Sequence, residues 1–161
     1  MDLSSYGLED LLLAAIKSEV SSKEIYSELA ERFRNAFLKD KLKFLSSEEE
    51  KHRIFIQSVY KKNFGDKKVV IPENTPVPLP QIKTDGPVSE VFFSAMQAEK
   101  AASEFYDALS EKFTDNPEIK KTLEYLATME MGHYKLLEIE KETIDRYEDF
   151  DTVWPMTHIG A

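Results

Sequence analysis

The chain has 161 residues, no cysteine and a formal net charge of -9. One domain of this length buries a core without covalent staples, and the missing cysteines exclude disulfides, cysteine zinc sites and iron–sulfur ligation, as suits a reducing compartment. The negative balance would repel nucleic acid and anionic membrane surfaces and would attract cations.

The N-terminus opens with Met1-Asp2-Leu3-Ser4, without a basic leader, and the apolar run Leu11 to Ile16 is too short to cross a bilayer. A cytoplasmic protein with neither nucleic-acid nor membrane partners is expected. Helical periodicity then predicts a first helix over 8–35 and a second over 38–62, closed by Asn63-Phe64-Gly65. The pattern stops over 63–87, a proline-rich stretch that reads as an extended connection. Asp85-Gly86-Pro87 opens a third helix over 88–114. Asp115-Asn116-Pro117-Glu118 supplies a side-chain cap, a first-turn proline and an acid, and opens a fourth helix over 117–146. Residues 147–161 read as an irregular tail, with Trp154 packing onto the bundle or a partner subunit and His158 at a surface or interface.

The order is helix, short loop, helix, long crossover, helix, short loop, helix. It predicts an all-α four-helix bundle over residues 1–146, made of two antiparallel helical hairpins joined by one long crossover. The halves repeat each other. At an offset of 80, Ala15, Glu19, Tyr26, Leu29 and Phe33 match Ala95, Glu99, Tyr106, Leu109 and Phe113. At an offset of 81, Leu42, Leu45, Glu49 and His52 match Leu123, Leu126, Glu130 and His133.

These matched positions carry the chemistry. At about 100° per residue, Glu49 and His52 fall in the apolar stripe of Leu38, Leu42, Leu45, Ile56 and Val59, whereas Glu48 lies to one side and Glu50 near the opposite face. Glu130 and His133 fall in the stripe of Ile119, Leu123, Leu126 and Leu137. Glu19 shares a face with Leu12, Ile16 and Tyr26, and Glu99 with Phe92, Met96 and Tyr106. Four carboxylates and two imidazoles thus point into one core, with no Lys or Arg at comparable inward positions in the matched motifs. Buried charge is costly unless compensated, and two divalent cations balance four carboxylates. One Glu from each of two helices plus Glu-x-x-His from each of the others is the ligand arrangement of di-metal carboxylate bundles. Oxygen and nitrogen donors without sulfur suit iron, with manganese or zinc as substitutes. Two of the Glu are expected to bridge the ions and two to be terminal. Tyr26 and Tyr106 stand two turns beyond Glu19 and Glu99. Either they hydrogen-bond ligand carboxylates or they are ordinary core tyrosines.

Through Glu19-x6-Tyr26, Glu49-Glu50-Lys51-His52, Glu99-x6-Tyr106 and Glu130-Met131-Gly132-His133, the chain resembles the rubrerythrin di-iron domain of the ferritin-like superfamily over about residues 8–146. The resemblance implies two iron ions held by Glu19, Glu49, His52, Glu99, Glu130 and His133. It also implies an oxidoreductase that reduces hydrogen peroxide or dioxygen. Rubrerythrins usually carry a C-terminal rubredoxin domain with four cysteines, so the electron donor here would be a separate rubredoxin-type protein. A homodimer is expected. The additional inward Glu of rubrerythrins is missing around Glu99, where Ala95, Met96, Ala102 and Ser103 stand one turn away and Glu104 faces elsewhere. The resulting six-residue set is similar also to bacterioferritin, although Glu50 replaces the haem-binding Met of that family. Storage of iron by a bacterioferritin-like ferroxidase is therefore the alternative, and a structural or regulatory bundle without chemistry is the third reading.

Overall fold

The computed structural model describes residues 1–65, 68–75, 77 and 79–153, with side chains described as far as Arg146. Four helices account for the architecture: α1 Leu8–Arg32, α2 Ala36–Phe64, α3 Val88–Ser110 and α4 Pro117–Val153. Among the described residues there is no strand. α1 packs along α2 and α3 along α4, and the two hairpins close face to face into a four-helix bundle.

The helix ends follow local chemistry, and they adjust the sequence reading. The first loop falls at 33–35 rather than 36–37. Asn35 is extended and its Oδ1 accepts the Leu38 amide at 3.2 Å, which starts α2 two residues early. Phe33 leaves the helix in an extended conformation, and its ring meets Phe92 of α3 edge-on at 6.1 Å. Gly65 closes α2 with φ 76° while its amide bonds to the Lys61 carbonyl, a left-handed position that suits glycine. α3 ends at Ser110, and its expected last turn tightens into a 3-10 turn over Glu111–Phe113. Asn116 then caps α4 through the Ile119 amide at 3.3 Å.

The tail expected to be irregular from 147 is instead helical as far as Val153. Residues 147–153 contain neither Gly nor Pro, so nothing in the sequence ends the helix there. Trp154 and His158 lie outside the described residues.

The crossover runs from the end of α2 to Gly86 and Pro87, and lies along α1 before it reaches α3. Lys17 donates to the Glu73 carbonyl, Arg32 to the Thr84 carbonyl at 2.8 Å, and the Lys83 amide to Ser94 Oγ at 2.8 Å. Val77 and Ile82 are buried and pin it to the bundle.

Two apolar clusters fill the interior. One gathers Leu11, Leu12 and Ile16 of α1, Ile56 and Val59 of α2, Tyr106 and Leu109 of α3, and Leu123 and Leu126 of α4. The other gathers Tyr26 and Leu29, Leu42 and Leu45, Phe92 and Met96, and Leu137. On each helix the inward Glu or Glu-x-x-His falls between a residue of one cluster and a residue of the other, so the polar side chains form one layer at mid-length with an apolar plug on either side.

Removing the cap at the first loop tests the local account. Asn35→Ala is expected to cost about 1 kcal/mol of unfolding free energy in a denaturant titration. An unchanged midpoint contradicts the assigned cap.

Candidate metal centre

The six matched residues meet. Glu19, Glu49, His52, Glu99, Glu130 and His133 are each between 1% and 3% exposed. Their donor atoms form two groups, Glu19–Glu49–His52–Glu130 and Glu49–Glu99–Glu130–His133, each within 4.8 Å. Glu49 and Glu130 belong to both groups, whereas Glu19 and His52 belong to one and Glu99 and His133 to the other. The repeat seen in the sequence is thus a pseudo-twofold arrangement in space. The two imidazoles stack with centroids 5.5 Å apart and planes 17° apart. Each approaches the carboxylate of the opposite hairpin, His52 Nδ1 at 2.8 Å from Glu130 Oε1 and His133 Nδ1 at 3.1 Å from Glu49 Oε1.

These approaches are not a satisfied hydrogen-bond network. Glu19 Oε2, Glu49 Oε1, His52 Nδ1, Glu130 Oε1 and His133 Nε2 are buried and make no hydrogen bond. An unpaired buried polar atom costs about 1–3 kcal/mol, so five together demand an explanation. Among the described residues no Lys or Arg is buried to compensate four carboxylates. His133 Nδ1 and Glu130 Oε2 share one hydrogen bond at 3.1 Å within α4, but the five unbonded atoms converge beside it and fit a cation between them, and an all oxygen-and-nitrogen donor set suits iron, manganese or zinc. The buried carboxylate and imidazole cluster therefore fits a metal.

The hydroxyls of Tyr26 and Tyr106 complete the layer. Tyr26 donates to Glu99 Oε1 and Tyr106 to Glu19 Oε1. Each tyrosine thus serves the carboxylate of the other hairpin rather than the one seven residues before it. The helical face predicted that both hydroxyls point inward, but only the packing of α1 against α3 selects the crossed partners. Burial first, then the charge of Glu99 on Tyr26 and of Glu19 on Tyr106, pushes both phenols well above their ordinary value.

Electrostatics divide the carboxyls. Burial, then the neighbouring Glu49 charge, pushes Glu19 and Glu99 well above the ordinary carboxyl range. Burial also acts upward on Glu49 and Glu130, but the imidazoles of His133 and His52 outweigh it and hold both below that range. Burial acts downward on the imidazoles, yet the carboxylates beside them, Glu130 and then Glu49, win. His52 is raised from 6.5 to about 9 and His133 to about 12.

The rest of the Glu48-Glu49-Glu50 run behaves differently. Glu48 is buried at the margin and pairs with Lys51 at 2.5 Å, away from the cluster. Glu50 turns outward to Lys23 of α1 at 2.9 Å and is held by Arg53 through both oxygens, at 2.9 and 2.7 Å. The Arg53 guanidinium, then the Lys23 ammonium, draws Glu50 down to about 2. Sequence reasoning passed over this network. The Glu50–Arg53 spacing of three residues was its only signal, because Lys23 meets Glu50 through tertiary packing.

The rubrerythrin family model matches residues 10–142. This chain belongs to the rubrerythrin family. The four helices agree with an all-α, ferritin-like bundle. Among solved structures, a hypothetical protein from Pyrococcus furiosus is similar to this rubrerythrin-family chain at 34% identity and a TM-score of 0.81, over 91% of this chain and 95% of that one. No curated protein matches. Among the described residues no helix is long and apolar enough to cross a membrane.

The histidine shifts set the pH response of the metal-free protein. An imidazole with a raised folded-state pKa stabilises the fold fully below its unfolded value of 6.5 and loses that contribution as pH rises through about 9 for His52. The raised carboxyls Glu19 and Glu99 act in the same direction. Metal-free protein is expected to lose on the order of 3 kcal/mol of stability through His52 between pH 6.5 and 9.5. Denaturant titrations at the two pH values check this. A metal-free protein that grows more stable with rising pH contradicts the arrangement.

Proposed function

We propose that this chain is a di-iron oxidoreductase that reduces hydrogen peroxide with electrons from a separate donor protein, working as a cytoplasmic homodimer. The observation that carries the reading is the convergence of four carboxylates and two imidazoles on two overlapping groups, with five buried donor atoms left unbonded. Glu19 and His52 would hold one ion and Glu99 and His133 the other, with Glu49 and Glu130 bridging because each belongs to both groups. Two divalent ions balance the four carboxylates, which removes the charge that otherwise penalises the layer.

Two bound ferrous ions would supply the two electrons that, with two protons, convert hydrogen peroxide into two waters. The protein's share is position, proton placement and exclusion of solvent. The apolar clusters on either side keep bulk water from the layer and strengthen every electrostatic interaction within it. Tyr26 and Tyr106 hold protons on the hydroxyls that face Glu99 and Glu19, so each terminal carboxylate has a donor oriented at its Oε1. Glu49 and His52 leave α2, and Glu130 and His133 leave α4, each pair one turn apart, so regular helices rather than loops set the spacing of the donors.

Anaerobic mixing of the reduced, iron-loaded protein with hydrogen peroxide in a stopped-flow instrument tests the reading. Rapid oxidation of the centre is expected, and a ferrous centre that peroxide leaves unchanged contradicts it. Glu49→Ala combined with His52→Ala should abolish binding of both ions, since Glu49 serves both groups, and should erase any rise in melting temperature on metal addition. A melting temperature indifferent to metal in the unsubstituted protein would favour a structural bundle. A large hollow oligomer taking up many irons per chain would favour storage.

A further inference from the structure

The two hairpins copy each other in sequence, yet they are fastened differently beside the centre. On α2, Glu50 follows Glu49 directly and accepts from Lys23 of α1 at 2.9 Å. Lys23 stands one turn beyond Glu19. Arg53 fixes the Glu50 carboxylate through both oxygens. One turn further along, Ser27 and Ser46 hydroxyls meet at 2.8 Å, and Ser46 Oγ donates to the Lys23 carbonyl at 3.0 Å. The helix segment that presents Glu19 is thereby strapped to the segment that presents Glu49 and His52.

The repeat offsets carry Lys23 to Ser103, Glu50 to Met131 and Arg53 to Tyr134. At these positions the second hairpin has no strap. Ser103, Met131 and Tyr134 make no hydrogen bond or ion pair with one another, and Met131 is 37% exposed. Gly132 takes the place of Lys51, and a Cβ there would meet open space.

We propose that this broken symmetry makes the two cation positions unequal, so that the position built by Glu19 and His52 fills first and holds its ion more tightly than the one built by Glu99 and His133. The inference rests on the two-cation reading above. The ion pairs of the strap are partly exposed and contribute little to folding one by one. Their effect on binding is different in kind. They fix the relative position of two helix segments before the ion arrives, so less ordering accompanies binding. Groups that hydrogen-bond metal ligands directly alter metal affinity about 10- to 100-fold, and the strap, which acts through the helices that carry the ligands, is expected at the lower end of that range.

Anaerobic titration of the metal-free protein with cobalt(II), against a competing chelator, reads both steps in the cobalt absorption bands. Because Glu49 and Glu130 serve both positions, the first ion alone would weaken the second, so comparison among variants decides. Lys23→Ser with Glu50→Met gives the first hairpin the residues of the second. It is expected to weaken the tight step about 10-fold and the weak one less, through Glu49 alone, so that the two steps draw together, while Lys23→Arg preserves both. Ser103→Lys with Met131→Glu and Tyr134→Arg transplants the strap and is expected to tighten the weak step. Glu19→Gln should remove the tight step, and Glu99→Gln the weak one. Circular dichroism confirms that each variant is folded. If two ions bind but neither strap exchange changes the separation of the steps, or Glu99→Gln removes the tight step, the inference is overturned and the two-cation reading stands. Fewer than two ions per chain overturns both.

Discussion

Four carboxylates in a layer closed by hydrocarbon on both sides is the constraint around which this molecule is arranged. Each would carry a desolvation cost of several kcal/mol if left charged and alone. The protein eases this in stages. Imidazoles from α2 and α4 reach carboxylates of the opposite hairpin, and phenols from α1 and α3 bond carboxylates of the opposite hairpin as well. Every one of these contacts crosses between hairpins, so the polar layer also joins the two halves of the bundle. Even so, five buried donor atoms stay unbonded. A bundle built only for stability would place leucines at these positions at less cost. The arrangement is consistent when cations supply what the protein leaves out.

Much of this was legible in the sequence because helices make facing predictable. A period of 3.6 residues assigns Glu49 and His52 to the stripe of Leu42, Leu45 and Ile56, and the repeat assigns Glu130 and His133 to the equivalent place. Local turn chemistry marked Gly65 and Asn116 as helix ends. The repeat also foretold the pseudo-twofold geometry, since two similar hairpins present similar faces to each other.

What escaped reading depends on contacts between elements or on signals too local to rank. Asn35 starts α2 with a side-chain cap and is the one cap-forming residue type in the run from Arg32 to Phe37, but the apolar periodicity continues on both sides of it and hides the break. The continuation of α4 past Arg146 reflects the lack of a breaker, a weaker signal than the presence of one. The crossed partners of Tyr26 and Tyr106, and the Lys23–Glu50 pair, require the packing of one helix on another. Glu48 is buried despite its position to one side of the stripe, because a long side chain can lie along apolar surface while its head meets Lys51.

The number of cations bound per chain decides whether the polar layer is a two-metal centre. Elemental analysis of the protein purified from its own host, referred to an accurate protein concentration, measures it directly. Two iron ions per chain is the result expected from four carboxylates, two imidazoles and two overlapping donor groups. Protein that is folded and free of metal as isolated, or that holds a single ion per chain at saturation, contradicts the account.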